Sequence, residues 1–141
     1  MGRVVFIGAG PGQADLIPVR GRQRLAQDDV VLFDALTDPS LREAAPQAQW
    51  LDVGKRGFGH ATGQSAINAL LVDQALAHGC VVRLKGGDPS VFGRLEEEIA
   101  SLLAHDIEFE VVPGVTAALA AAAHTARPLT RRGSGRSVSL T

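Results

Sequence analysis

The sequence has 141 residues, of which 45% are hydrophobic, and its formal net charge is −1. This size and apolar content predict one globular domain with a buried core, and the near-neutral charge gives no global reason to expect nucleic acid or a membrane as partner. Because Cys80 is the single cysteine, an internal disulfide is excluded. No charged-then-apolar leader precedes Val4, so we expect a cytoplasmic protein.

Short apolar runs predict the strands. They occupy residues 3–7, 30–34, 50–53, 80–82 and 109–112, and residues 137–141 are predicted to be a further strand that is cut short. A run of Gly-Ala-Gly-Pro-Gly at 8–12 follows the first strand, and Asp34 ends the second.

Helix patterns separate these strands. Pro18 suits the first turn of a helix that runs to about Gln27, and Asp38-Pro39 opens a short helix. Thr62 or Gly63 is predicted to cap the next helix, which Gly79 stops. Apolar residues at helical spacing, namely Leu95, Ile99, Leu102 and Leu103, predict a further helix. The last, alanine-rich helix is predicted to begin at a Thr116 cap and to reach about His124.

Strands that alternate with helices predict an α/β fold with a mostly parallel five-stranded sheet flanked by helices. Ligands of such sheets bind at the carboxyl ends of the strands. That edge would gather segments that are far apart in the chain: 8–12, Asp34, Lys55, 86–88 and 113–117.

The loop at 83–94 is the strongest local signal of a binding site. Gly86 and Gly87 lack Cβ atoms, so their backbone can take positive φ and approach a ligand closely, while Asp88 supplies an acceptor and Pro89 stiffens the exit. A simple tight turn is the alternative interpretation.

A dinucleotide site is the first rival hypothesis, because a glycine turn follows the first strand and Asp34 ends the second. The spacing counts against it, since the GxGxxG pattern would need glycine where Gln13 stands. Pro11 also removes a backbone N–H that phosphate binding would use. No Gly-Lys-Ser or Gly-Lys-Thr supports a Walker-type phosphate loop.

Taken together, five motifs in register resemble the tetrapyrrole methylases, and the similarity runs the length of the chain. They are Gly-Ala-Gly-Pro-Gly at 8–12, Val-Gly-Lys-Arg at 53–56, Arg-Leu-Lys-Gly-Gly-Asp-Pro at 83–89 with Val-Phe-Gly-Arg at 91–94, Val-Val-Pro-Gly-Val-Thr-Ala at 111–117, and Pro-Leu-Thr at 128–130. The nearest branch acts on uroporphyrinogen III. The resemblance implies methyl transfer from S-adenosylmethionine to carbons 2 and 7 of that substrate, giving precorrin-2 for sirohaem and cobalamin.

The resemblance also implies roles for particular residues. It assigns Asp34 as proton acceptor and Lys55 as proton donor, with no metal ion. The residues that it places around S-adenosylmethionine are Pro11, Gly86, Gly87, Asp88, Val91, Thr116 and Ala117. The chemistry of these residues agrees, because a zwitterionic, sulfonium-bearing ligand is bound by backbone groups and small polar side chains.

The substrate that the resemblance implies carries eight carboxylates, so basic residues are candidates for binding it. Those candidates are Arg20, Lys55, Arg56, Arg131 and Arg132, and His60 lies where the family also has histidine. Departures from the family pattern fall mostly on this substrate side: Ala35, Ser90, Leu95-Glu96 and Arg131.

The family architecture implies that residues 1–136 form the N-terminal domain of a two-domain, homodimeric enzyme and that 137–141 begin a second domain. We therefore expect this chain alone to bind S-adenosylhomocysteine weakly and to transfer no methyl group. Two alternatives remain open, namely another precorrin methyltransferase of the family and a non-catalytic tetrapyrrole-binding remnant. Asp34 could also merely close a turn, and Lys55 could be an ordinary exposed lysine.

Overall fold

The computed structural model describes residues 2–34, 37–54 and 63–141. The described strands are β1 (Arg3–Gly8), β2 (Val30–Phe33), β3 (Gln49–Asp52), β4 (Cys80–Lys85) and β5 (Glu108–Val112). They form one sheet in the order β3-β2-β4-β1-β5, and each pair of neighbours is parallel. The predicted five-stranded parallel α/β fold is confirmed.

Helices cover both faces of this sheet. They are α1 (Val19–Leu25), α2 (Gly63–Ala77), α3 (Leu95–Ala104) and α4 (Ala117–Thr125), with short 3₁₀ helices at Ala14–Leu16 and Pro39–Ala44. Helices α2 and α3 pack on one face, where Phe6, Leu32 and Leu102 are fully buried. The other face is covered by α1 and the second 3₁₀ helix, through Leu25 and Leu41.

The apolar runs form strands because successive side chains point to opposite faces and both faces are covered. In β1, Val4 and Phe6 enter the core beneath α2 and α3, while Val5 and Ile7 enter the core beneath α1. All four side chains are at most 1% exposed. The central strands therefore hold the sheet together and fix the positions of the loops at their carboxyl ends.

Helix termini follow the sequence signals with two corrections. Asp38 caps the Pro39–Ala44 helix as predicted, since its carboxylate accepts a hydrogen bond from the Ser40 N–H at 2.9 Å. Pro18 is the residue before α1 and is not in its first turn. Thr116 occupies the N-cap position of α4 as predicted, but its side chain does not make the capping hydrogen bond that was expected of it.

The predicted strand at 137–141 is also wrong, because these residues pair with no strand of the sheet. A strand needs a neighbour for its N–H and C=O groups. Val138 and Leu140 remain about half exposed, at 48% and 46%.

Among the helices that the structure describes, none is long and apolar enough to cross a bilayer.

Candidate functional site

A cavity of about 370 Å³ lies at the carboxyl ends of β1 and β4 and beside the start of α4. Nine residues line it: Gly10, Pro11, Gly86, Gly87, Asp88, Val91, Phe92, Thr116 and Ala117. The structure thus brings together all seven residues that the family resemblance assigns to cofactor binding. The other two, Gly10 and Phe92, were not predicted to bind the cofactor. A larger, more open groove of about 540 Å³ beside α1 contains none of the predicted residues.

Backbone hydrogen bonds join the loops that follow β1 and β4. The N–H of Gly87 donates to the carbonyl of Gly10 at 2.7 Å, and the N–H of Gly10 donates to the carbonyl of Gly87 at 3.2 Å. The N–H of Ala9 donates to the carbonyl of Lys85 at 2.7 Å. These reciprocal bonds make two loops from distant parts of the chain into one wall of the cavity.

Asp88 ties the loop after β5 to the same wall. One carboxylate oxygen accepts from the Ser90 N–H at 2.8 Å, and the other accepts from the Gly114 N–H at 2.9 Å. The sequence identified Asp88 as an acceptor for a ligand. In the structure both of its oxygens are bonded to backbone, so its first task is to hold the Gly114 loop in place.

The three loops meet where glycines allow their backbones to touch. A Cβ atom on Gly114 would lie 2.3 Å from the carbonyl oxygen of Gly87 and 2.7 Å from the Cα of Gly8. Gly87 adopts the predicted positive φ, at 64°, but Gly86 does not. The absence of side chains at this junction therefore allows the three loops to pack directly against one another.

A buried cluster of charges that sequence reasoning missed joins β4 to α3, the two elements on either side of the 86–94 loop. The Arg83 guanidinium donates to Glu98 at 2.7 Å, and the Lys85 ammonium pairs with the second oxygen of the same carboxylate. The side chain of Glu98 is fully buried, and those of Arg83 and Lys85 are 6% exposed. Burial lowers the pKa of Lys85. The sequence does contain one signal of this cluster, because Glu98 is a charged residue on the otherwise apolar face of α3.

Asp34 lies at the same sheet edge but lines a second cavity, of about 180 Å³, between the ends of β2 and β3. Its backbone carbonyl accepts from the Thr37 hydroxyl at 2.9 Å. Arg42 also lines this cavity, and its guanidinium carbon is 5.0 Å from the Phe33 ring centroid and 5.7 Å from that of Trp50. Cation–π contacts of this kind orient a guanidinium group. Arg42 was not a predicted site residue.

The predicted substrate-binding residues are less well gathered. Arg20 lies in α1, and Arg131 and Arg132 are exposed in a turn closed by two 2.8 Å bonds between the backbones of Arg131 and Gly135. None of these three lines either cavity. Lys55, Arg56 and His60, and the departure at Ala35, lie outside the described residues.

Within residues 2–34, 37–54 and 63–141, no group of three or more His, Cys, Asp and Glu side chains is placed to hold a metal ion. The groups that line the described cavity are backbone groups, the Thr116 hydroxyl, the Asp88 carboxylate and apolar side chains.

Comparison with protein families decides the membership of this chain. The model of the tetrapyrrole (corrin/porphyrin) methylases matches residues 3–141. This chain belongs to the tetrapyrrole methylases. The predicted family is confirmed, and with it the assignment of the motif-bearing loops to a methylase fold.

Two relatives and one solved structure support this membership. The chain is 48% identical to the uroporphyrinogen-III C-methyltransferase of Bacillus subtilis, and the matched region covers 93% of this chain and 27% of that protein. It is 44% identical to the enzyme of the same name from Cyanidium caldarium, covering 98% of this chain and 55% of the other. The uroporphyrin-III C-methyltransferase of Thermus thermophilus, solved with S-adenosylhomocysteine, is 45% identical with a TM-score of 0.78, covering 94% of this tetrapyrrole methylase and 51% of that chain.

Proposed function

We propose that this chain supplies the S-adenosylmethionine site of an enzyme that methylates uroporphyrinogen III at carbons 2 and 7 to give precorrin-2. The observation that carries this proposal is the nine-residue cavity at the sheet edge of a tetrapyrrole methylase. The similar Thermus thermophilus structure contains S-adenosylhomocysteine, the product that S-adenosylmethionine leaves. The chain spans 27% of the Bacillus subtilis relative and 55% of the Cyanidium caldarium relative, so we propose this activity for an enzyme of such a length that contains this chain, called the longer enzyme below.

The residues around the cavity suit this cofactor. A volume of about 370 Å³ falls in the range of small-molecule sites. Because Gly86 has no side chain, its backbone can approach the methionine end closely, and the Thr116 hydroxyl, which caps no helix, is a further polar group. Pro11, Val91 and Phe92 supply apolar wall for the adenosine.

The proposed reaction needs orientation and a proton acceptor. A pyrrole carbon attacks the methyl carbon, the sulfur keeps the electron pair of the broken C–S bond, and the methylated ring system, which is now cationic, loses a proton from another of its atoms. We assign that proton to Asp34 and the complementary donor role to Lys55. Proton transfer by a positioned side chain contributes about 10² to 10⁴ in rate, and holding the two reactants in line contributes more.

The eight carboxylates of the substrate remain the reason to propose Arg20, Arg56, His60, Arg131 and Arg132 as its contacts. Each charge-assisted hydrogen bond contributes about 1.5 to 3 kcal/mol where water is excluded. Action in the cytoplasm as a homodimer of the longer enzyme is part of the same proposal.

The first experiment is a calorimetric titration of this chain with S-adenosylhomocysteine, with NAD as the control ligand. Ala117→Leu places three extra carbons on the cavity wall and should weaken binding about tenfold or more, because the ligand and the new side chain compete for one volume. Ala123→Leu is the matched control, since Ala123 is exposed on the same helix and outside the cavity. Heat with NAD alone would contradict the proposal.

The substrate is tested by mass analysis of products formed from uroporphyrinogen III under anaerobic conditions by the longer enzyme. A gain of two methyl groups supports the proposed reaction. Methylation only of a later precorrin would assign the chain to another methyltransferase of the family. Cofactor binding without transfer to any tetrapyrrole would identify a binding remnant.

A further inference from the structure

The Arg83–Glu98–Lys85 cluster carries two positive charges and one negative charge in the protein interior. Arg83 and Lys85 project from the carboxyl half of β4, and Glu98 lies in the first turn of α3. The chain segment between these elements, 86–94, forms one wall of the cavity. The cluster therefore joins the two ends of that segment.

Lys85 also contacts the segment directly. Its ammonium donates a hydrogen bond to the carbonyl of Gly93 at 2.6 Å, with the Gly93 region folded against the lysine stem. Gly93 stands between Phe92 and Arg94, both of which have φ of 54°. Positive φ is unfavourable for such residues and persists only where surrounding contacts hold the backbone. The bond from Lys85 is one such contact, made from the rigid sheet.

Stability alone does not account for three charged side chains in this position. Removing ions from water costs several kcal/mol each, and apolar side chains of similar volume commonly give equal or greater stability. Burial, followed by the charge of Arg83, lowers the pKa of Lys85, whereas Glu98 and, to a smaller extent, Asp34 oppose that lowering, so the carboxylate of Glu98 is the main group that favours the ammonium charge. A charged donor in this place makes a stronger bond to a carbonyl than a neutral one.

We propose that Lys85, held in place by Glu98, whose other carboxylate oxygen is bound by Arg83, is a positioning residue that fixes the 88–94 segment in the conformation that shapes the cofactor cavity. Val91 and Phe92, which line the cavity, sit on this segment just before the carbonyl that Lys85 binds. The identity of the ligand in this inference rests on the proposed function. The conformation of the segment is argued independently of it.

The test replaces Lys85 by methionine, which keeps the stem and removes the ammonium. Two quantities are measured: the dissociation constant for S-adenosylhomocysteine and the hydrogen-exchange rates of the amides at 90–94 and in β1. Lys85→Met is expected to raise both the dissociation constant and the exchange rates at 90–94 about tenfold. Exchange in β1 should stay within about twofold, because the sheet does not depend on this bond.

Arg24→Met is the matched control, since it also removes the cation of a carboxylate pair. Arg24 binds Glu110 at 2.8 Å and touches neither the segment nor the cavity. It should leave ligand affinity and exchange at 90–94 within about twofold of the unmodified chain.

Two results would overturn the proposal: unchanged exchange at 90–94 in Lys85→Met, or exchange that rises equally at 90–94 and in β1, as a purely structural role requires. If Lys85→Met does not fold, Glu98→Gln is measured in the same way, because it removes the charge that holds Lys85. If the unmodified chain does not bind S-adenosylhomocysteine, the cofactor assignment fails while hydrogen exchange, which needs no ligand, still decides the role of Lys85.

Discussion

Asp28 and Asp29 show how two adjacent carboxylates acquire different properties from their surroundings. One oxygen of Asp29 accepts from the Gly79 and Cys80 N–H groups, at 3.1 and 3.0 Å. Asp28 is 2% exposed, and among the described residues neither of its carboxylate oxygens has a hydrogen-bond partner. Burial, and to a smaller extent the charge of Asp29, raises the pKa of Asp28 to about 7.

This shift predicts a pH dependence of stability. The pKa of Asp28 rises from 3.8 to about 7 on folding, so between these values the native state keeps a proton that the unfolded chain has lost. Stability therefore falls as pH rises from about 4 to 7 and stays low above that. Asp28→Asn should raise the free energy of unfolding at pH 8 by about 1 to 3 kcal/mol and change it little at pH 4.

Denaturant unfolding of both proteins at the two pH values checks this prediction, and Asp29→Asn is the control. That variant weakens the bonds to Gly79 and Cys80 and should destabilise the protein at pH 8. If Asp28→Asn raised the free energy of unfolding equally at pH 4 and pH 8, folding would not shift the pKa of the Asp28 carboxyl group, and the prediction would be wrong.

At the scale of elements, the site depends on contact between loops more than on the helices that follow them. The loops after β1, β4 and β5 meet at Gly8, Gly87 and Gly114, and Asp88 bonds across two of them. Helix α4 begins beside the cavity but contributes no buried residue of its own. The shape of the cavity therefore depends on the contacts that hold these three loops together.

Gly114→Ala should damage this junction. Its new Cβ would lie 2.3 Å from the Gly87 carbonyl oxygen, a backbone atom that cannot rotate away. We expect a loss of about 1 to 3 kcal/mol in the free energy of unfolding and weaker binding of S-adenosylhomocysteine. Gly79→Ala is the control, because its Cβ would meet only the Asp29 carboxylate, at 3.5 Å. Equal effects of the two substitutions in denaturant unfolding and calorimetry would refute the tight-junction account.

For the whole molecule, ligand binding and stability should be coupled. The cavity draws its residues from the loop after β1, the segment after β4 and the start of α4, so a bound ligand bridges parts of the chain that separate on unfolding. A ligand that binds only the folded state stabilises it in proportion to the logarithm of its concentration.

S-adenosylhomocysteine at a hundred times its dissociation constant should add about 2.7 kcal/mol to the free energy of unfolding. For a chain of this length the melting temperature should rise by roughly 5 to 10 °C. Differential scanning calorimetry measures the rise, with NAD and the Ala117→Leu variant as controls. An equal rise with NAD would mean that the stabilisation is not specific to the proposed cofactor.

Local sequence alone was sufficient to predict the order and type of the five described strands and of the four described α-helices. Continuous apolar runs such as Val30–Phe33 become strands because the helices on both sides of the sheet bury both faces of the strand. The Asp38-Pro39 pair starts a helix because the cap bond reaches only two residues along the chain. The five motifs were sufficient to identify the family, and the carboxyl-end rule was sufficient to predict that 86–88 and 113–117 lie together.

Only the tertiary structure decided which groups meet and what remains without a partner. Glu98 joins Arg83 and Lys85 because α3 packs back on the sheet, and the buried Asp28 carboxylate has no hydrogen-bond partner within the described part of the chain. Thr116 makes no capping bond and 137–141 form no strand, since both outcomes depend on side-chain orientation and on available neighbours. Pairing, burial and steric contact are properties of three-dimensional proximity, which no local pattern encodes.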